Sequence, residues 1–80
     1  MTKARIVVTL KTGVLDPQGK AIEAALKSLG IQDVGSVRQG KVFDVEIKGD
    51  DPVQAENTLK TACEKLLANT VVENYSIEIA

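Results

Sequence analysis

The chain has 80 residues, enough for one domain (1–80) with a small core, since a chain of this length buries only about 60% of the surface it exposes when unfolded. Ten basic residues nearly cancel eleven acidic ones, for a net charge of −1, which argues against a nucleic-acid or anionic-membrane partner. One cysteine and no histidine exclude an intramolecular disulfide and offer no Cys/His metal cluster, leaving oligomerisation as the common staple for so short a chain.

The opening MTKARIVVTL is too briefly apolar for a signal peptide, and no stretch approaches the length of a membrane span. The expected location is the cytoplasm. Arg5 to Lys11 is rich in β-branched residues and reads as a strand. Asp16-Pro17 then opens a helix, with Asp16 as the N-cap and Pro17 at the first helical position. Ile22, Ala25, Leu26 and Leu29 fall on one face of it, and Gly30 marks its end. Gly19 sits oddly in the first turn, where it costs up to about 1 kcal/mol relative to Ala.

Val34 to Gln39 and Lys41 to Lys48 read as two further strands, with Gly40 where the chain reverses between them. In the second, Phe43, Val45 and Ile47 alternate with Asp44, Glu46 and Lys48, so one face is buried and the other wet. Asp51-Pro52 opens a second helix, with Gln54 completing a D-x-x-Q capping box. Its apolar face is Ala55, Leu59, Ala62, Cys63, Leu66 and Leu67, and Asn69 ends it in the left-handed conformation. Tyr75, Ile77 and Ile79 alternate with Ser76 and Glu78 in a last strand. The order β-α-β-β-α-β predicts an α+β two-layer sandwich of ferredoxin-like order, two helices on a four-stranded antiparallel sheet.

No residue set here performs acid–base or nucleophilic chemistry. The commonest general base is absent, and Cys63 lies on an apolar stripe, where a packed core thiol is expected. GSVRQGKV (Gly35 to Val42) only imitates a phosphate loop: no Ser or Thr follows Lys41, and the segment joins two strands. The strand around Phe43 lacks the exposed aromatics of an RNA-binding surface, and there is no C-x-x-C for a metal carrier. Glu23 with Lys27, and Glu56 with Lys60, are spaced as ion pairs on wet helix faces. A binding or assembly domain is what remains, with no catalytic and no metal-binding residues.

Four segments carry a resemblance. V-x-L-K-x-G-V-L-D-P-Q-G from Val8 to Gly19, VRQGKVF from Val37 to Phe43, CEKLLAN from Cys63 to Asn69 and VVENYSI from Val71 to Ile77 together resemble the PurS family, the small subunit of phosphoribosylformylglycinamidine synthase. Thr70 and Val72 stand where that family usually has Pro and Ile. The resemblance implies a non-catalytic subunit in de novo purine biosynthesis that helps a glutaminase (PurQ) and an ATP-dependent synthetase (PurL) assemble and pass ammonia. It implies no cofactor bound by this chain, ATP and magnesium belonging to the complex. The implied partners are PurL and PurQ; a second copy of the chain, making at least a dimer, is expected from the small core and from the edge of the last strand, Tyr75 to Ile79, open for pairing.

The resemblance also suggests a partner interface built from Asp16, Pro17, Gln18, Gly19, Arg38, Gly40, Lys41 and Asn69, with Gly19 admitting the close approach of another backbone. Three plainer readings stand beside it. Asp16 to Gly19 form a helix cap, or hold an anion on first-turn amides with Lys20; Arg38, Gly40 and Lys41 form a solvated hairpin; and Asn69 is a helix cap. The competing function is a stand-alone dimeric regulatory domain binding a small metabolite.

Overall fold

A computed structural model describes all of residues 1–80. Three strands, β1 (Thr2–Leu10), β2 (Gly40–Ile47) and β3 (Glu73–Ile79), form one antiparallel sheet in the order β2-β1-β3. Two helices, α1 (Pro17–Ser28) and α2 (Pro52–Ala62), separate them, and α2 runs on into a π-helical turn at Cys63–Leu67. The class is α+β, but the sheet has three strands and not the expected four.

The missing strand is Val34 to Gln39. Its alternation is poor, with Val34 and Val37 three apart, and the two backbone donors it does engage go to carboxylates instead of a neighbouring strand. The N–H of Val37 donates to Glu23 and that of Gln39 to Asp16. Gly40 does not turn a hairpin; it begins β2 directly, opposite Thr9. Residues 32–36 make no hydrogen bond with the rest of the chain.

The period of two on every strand sorts the sheet into two faces. Ala4, Ile6 and Val8 of β1 are buried, with Phe43, Val45 and Ile47 on one side and Tyr75, Ile77 and Ile79 on the other. Register is consistent with this: Ile6 lies between Phe43 and Ile77. Helix α2 covers that face through Ala55, Leu59 and Cys63, all buried. The opposite face carries Lys3, Arg5, Asp44, Glu46 and Glu78, with Arg5 and Asp44 joined at 2.9 Å.

Only α2 seats on the sheet. The expected pair of stacked helices is not there, because α1 leads away from it. The molecule is elongated, with extents of 49, 24 and 14 Å. Ile22 and Leu29 on the apolar face of α1 are exposed, and Leu26 is half-buried.

The helix ends follow local chemistry with three departures. Asp16 and Asp51 cap as expected, and Gly30 closes α1 at φ 85° with Gly30 N–H on Lys27 and Ile31 N–H on Leu26. Asp51 accepts from Val53 and Gln54 N–H, but the Gln54 side chain returns no bond, so the capping box is half made. Leu66 is 82% exposed, since the wider π turn carries it off the stripe that a 3.6 period predicts. Asn69 does not adopt the left-handed conformation: no residue but glycine has positive φ, and the turn ends with Ala68 extended.

Candidate partner-binding site

The eight residues singled out in the sequence gather at one end of the sheet, where β1 finishes and β2 and β3 begin. Leu10 leads into a turn in which Val14 N–H donates to the Lys11 carbonyl at 3.1 Å, with Gly13 at φ 87°. The guanidinium of Arg38 lies over that turn, donating to Val14 O at 2.8 Å and to Lys11 O at 3.2 Å. A planar fork of donors suits two carbonyls of one turn, which a single ammonium would not span.

Asp16 follows. One carboxylate oxygen accepts from Gly19 N–H at 2.9 Å, as an N-cap should, and the other from Gln39 N–H at 2.7 Å. Asp16 is buried, and these two backbone donors, Gln39 first, hold its carboxyl below the usual range, with Arg38 nearby acting the same way. The Gly19 N–H is therefore occupied by the chain's own carboxylate, and an incoming anion would meet negative charge there.

Gly19 is explained at the same place. A Cβ on it would strike the Val37 carbonyl oxygen, so the backbone that approaches this helix start belongs to the same chain. Segment 37–39 is thus laid across the first turns of α1 by Glu23, Gly19 and Asp16 together. Glu23 joins Lys20 at 3.8 Å rather than Lys27, whereas Glu56 and Lys60 pair as spaced, also at 3.8 Å. At Gly40 a Cβ would lie 2.5 Å from the Val8 carbonyl oxygen, which makes glycine the residue for the first position of β2.

Lys41 and Asn69 meet through a residue that sequence reasoning did not single out. Glu73 accepts from Asn69 N–H at 2.7 Å and pairs with Lys41 at 3.6 Å. The Asn69 side chain accepts from Val71 N–H at 3.2 Å, folding the connection into β3. Lys11 N–H on Val72 O, at 2.9 Å, joins this network to the Arg38 turn. Glu73 lies within the last family-like segment and Glu23 on a helix face; only the folded chain brings each to a backbone N–H.

What reaches solvent is a rim: Pro17, Gln18, Lys20, Arg38 and Lys41 are exposed, above buried Asp16 and Gly19. Cys63 is buried elsewhere, and burial pushes its thiol up, away from the reactive thiolate. No group of three or more His, Cys, Asp or Glu residues is placed to hold a metal ion. A groove lies at the other end of the sheet, between Lys3, Arg5, Asp44, Glu46 and Glu78. No helix is long and apolar enough to cross a membrane.

Comparison with known proteins places these features in a wider set. The family model described as PurS: Phosphoribosylformylglycinamidine (FGAM) synthase matches residues 3–80. The chain is 47% identical over 75 residues to phosphoribosylformylglycinamidine synthase subunit PurS of Synechocystis sp., covering 94% of this chain and 75% of that one. A structure of Bacillus subtilis PurS superposes with a TM-score of 0.90 at 44% identity, covering 100% of this chain and 99% of the other. A chain in the structure of PurLQS from Thermotoga maritima gives a TM-score of 0.89 at 34% identity, over 99% and 96% of the two chains.

Proposed function

The chain belongs to the PurS family, and from that premise we propose that it is the small, non-catalytic subunit of a phosphoribosylformylglycinamidine synthase, a glutamine-dependent ligase of purine biosynthesis. In this reading it assembles the synthetase PurL with the glutaminase PurQ in the cytoplasm and assists the passage of ammonia between them. It also associates with itself, at least as a dimer. ATP and magnesium are used by the complex, not by this chain. The observation that supports the reading most is its full-length likeness to a chain of the Thermotoga maritima PurLQS structure. The rim of Pro17, Gln18, Arg38 and Lys41 is the contact surface we assign to a larger subunit, with buried Asp16 and Gly19 and exposed Gly40 and Asn69 shaping the backbone around it.

The test separates the two nitrogen sources. PurL supplied with ammonium salt retains amidine formation without this subunit, whereas glutamine-dependent synthesis by PurL and PurQ requires it. Gln18→Ala and Arg38→Glu, each verified as folded by circular dichroism, lower the glutamine-dependent rate more than the ammonium-dependent one. Equal loss from both sources would overturn a coupling role. A stand-alone metabolite-binding domain would instead leave both rates unchanged when omitted.

A further inference from the structure

We infer, from the rim assigned above to a larger subunit and resting on that assignment, that Leu15 is the apolar anchor of the contact. It enters a pocket on the larger subunit whose border carries carboxylates. A lone exposed leucine is ordinary on a protein surface, but this one holds a position with a definite use inside a chain, and that use is not made. Leu15 directly precedes Asp16, the N-cap of α1, where an apolar side chain packs on the fourth helical residue and fixes the entry of the chain. The fourth residue here is Lys20, and Leu15 is 72% exposed. Its own fold therefore gains nothing from a leucine there. At the other Asp-Pro helix start the same position is Asp50, a residue suited to water.

The backbone that carries Leu15 is fastened on both sides. Arg38 holds the carbonyls of Lys11 and Val14 before it, and the Asp16 carboxylate is bonded to Gly19 and Gln39 N–H after it. A side chain that its own core does not bury thus stands on fixed backbone, and little ordering is left to oppose docking. The groups displayed at this end of the sheet are cationic. Its three carboxylates, Asp16, Glu23 and Glu73, are turned onto the backbone N–H groups of Gln39, Val37 and Asn69. The side chains of Glu23 and Glu73 are 14% and 15% exposed, against 68% and 55% for the lysines that pair with them, Lys20 and Lys41. Arg38 commits two of its five N–H groups to carbonyls and keeps its charge. A partner meets positive charge around an apolar point here, although the chain as a whole carries −1. The complementary surface is acidic around an apolar centre.

Binding of the parent protein and its variants to immobilised PurL and PurQ, with ATP, magnesium and glutamine present, tests the anchor. Leu15→Ala is expected to raise Kd about tenfold or more while the Tm of the isolated protein stays at the parent value. Val53→Ala, which trims an exposed apolar residue in the first turn of α2, is expected to bind as the parent does. Lys20→Gln with Lys41→Gln is expected to slow association about threefold at low ionic strength and to match the parent in about 0.5 M salt. Unchanged association at low ionic strength would overturn the acidic border. Parent-like affinity of Leu15→Ala beside weakened binding of Gln18→Ala would overturn the anchor and leave the rim standing. Parent-like affinity of both variants would remove the rim as well. A Tm several degrees lower in Leu15→Ala would show that the leucine serves its own fold. Loss of self-association by that variant in sedimentation would place it between copies; either result overturns the anchor.

Discussion

The carboxylate of Asp16 accepts the backbone N–H of Gln39 at 2.7 Å across 23 positions of sequence. This one bond fastens the start of α1 to the residue before β2, while the other oxygen of the same carboxylate caps the helix. A residue chosen by local capping chemistry is therefore also a tertiary joint.

Asp16→Asn should lower Tm by roughly 5–10 °C, because an amide has one acceptor oxygen for two N–H donors and turns an NH2 group toward one of them. The pH dependence has a definite sign. The folded carboxyl titrates below its usual range, so its contribution to stability is complete above that range and is lost as pH falls through the depressed value. The Tm of the parent protein should fall as pH drops through the acid range, and that of the variant should depend less on pH there.

Gly19→Ala should destabilise by about 1–3 kcal/mol, since the new methyl group meets a backbone carbonyl that cannot rotate aside. Gly35→Ala is the control: nothing lies within 4 Å of a Cβ there, and the change should be neutral or stabilise by up to about 1 kcal/mol through the unfolded chain. Urea titrations of both variants decide this. Equal effects would mean that the crowding at Gly19 is relieved at little cost.

Cys63→Ala should cost about 1 kcal/mol through the small space left among Ile6, Val8 and Leu59. The complex should retain its activity with this variant. In the native parent the thiol should resist a disulfide reagent at neutral pH, being buried and held protonated, and react at once in denaturant.

Glu73→Ala should destabilise by about 1 kcal/mol and Lys41→Ala by a few tenths. Lys41 is half in water and gains little from its pair, whereas Glu73 also receives the Asn69 N–H at the exit of the π turn. Equal losses in chemical denaturation would shift the weight to the ion pair.

The sequence was legible where a local rule decides the outcome. Alternation found the core-facing, half-buried rows Phe43-Val45-Ile47 and Tyr75-Ile77-Ile79, and Asp-Pro found both helix starts. It misled at Val34 to Gln39, where β-branched residues suggested a strand but carboxylates from α1 took the amide donors. Periodicity named Ile22, Ala25, Leu26 and Leu29 as the packed face of α1, but the chain's own sheet leaves that face uncovered, with only Leu26 half-buried. The role of Gly19 needed Val37, and that of Asn69 needed Glu73. Such partners come from chain folding, and no spacing near either residue encodes them.

Residues 32–36 hang between two fixed points, Ile31 bonded to the end of α1 and Val37 bonded to Glu23. Nothing between them sets a length. Register in β2 is fixed after this stretch, by Gly40 opposite Thr9, so added residues would not propagate into the sheet. The segment is thus the chain's one slack link, where a tag or a fluorescent label can be spliced in and both anchored ends left unmoved.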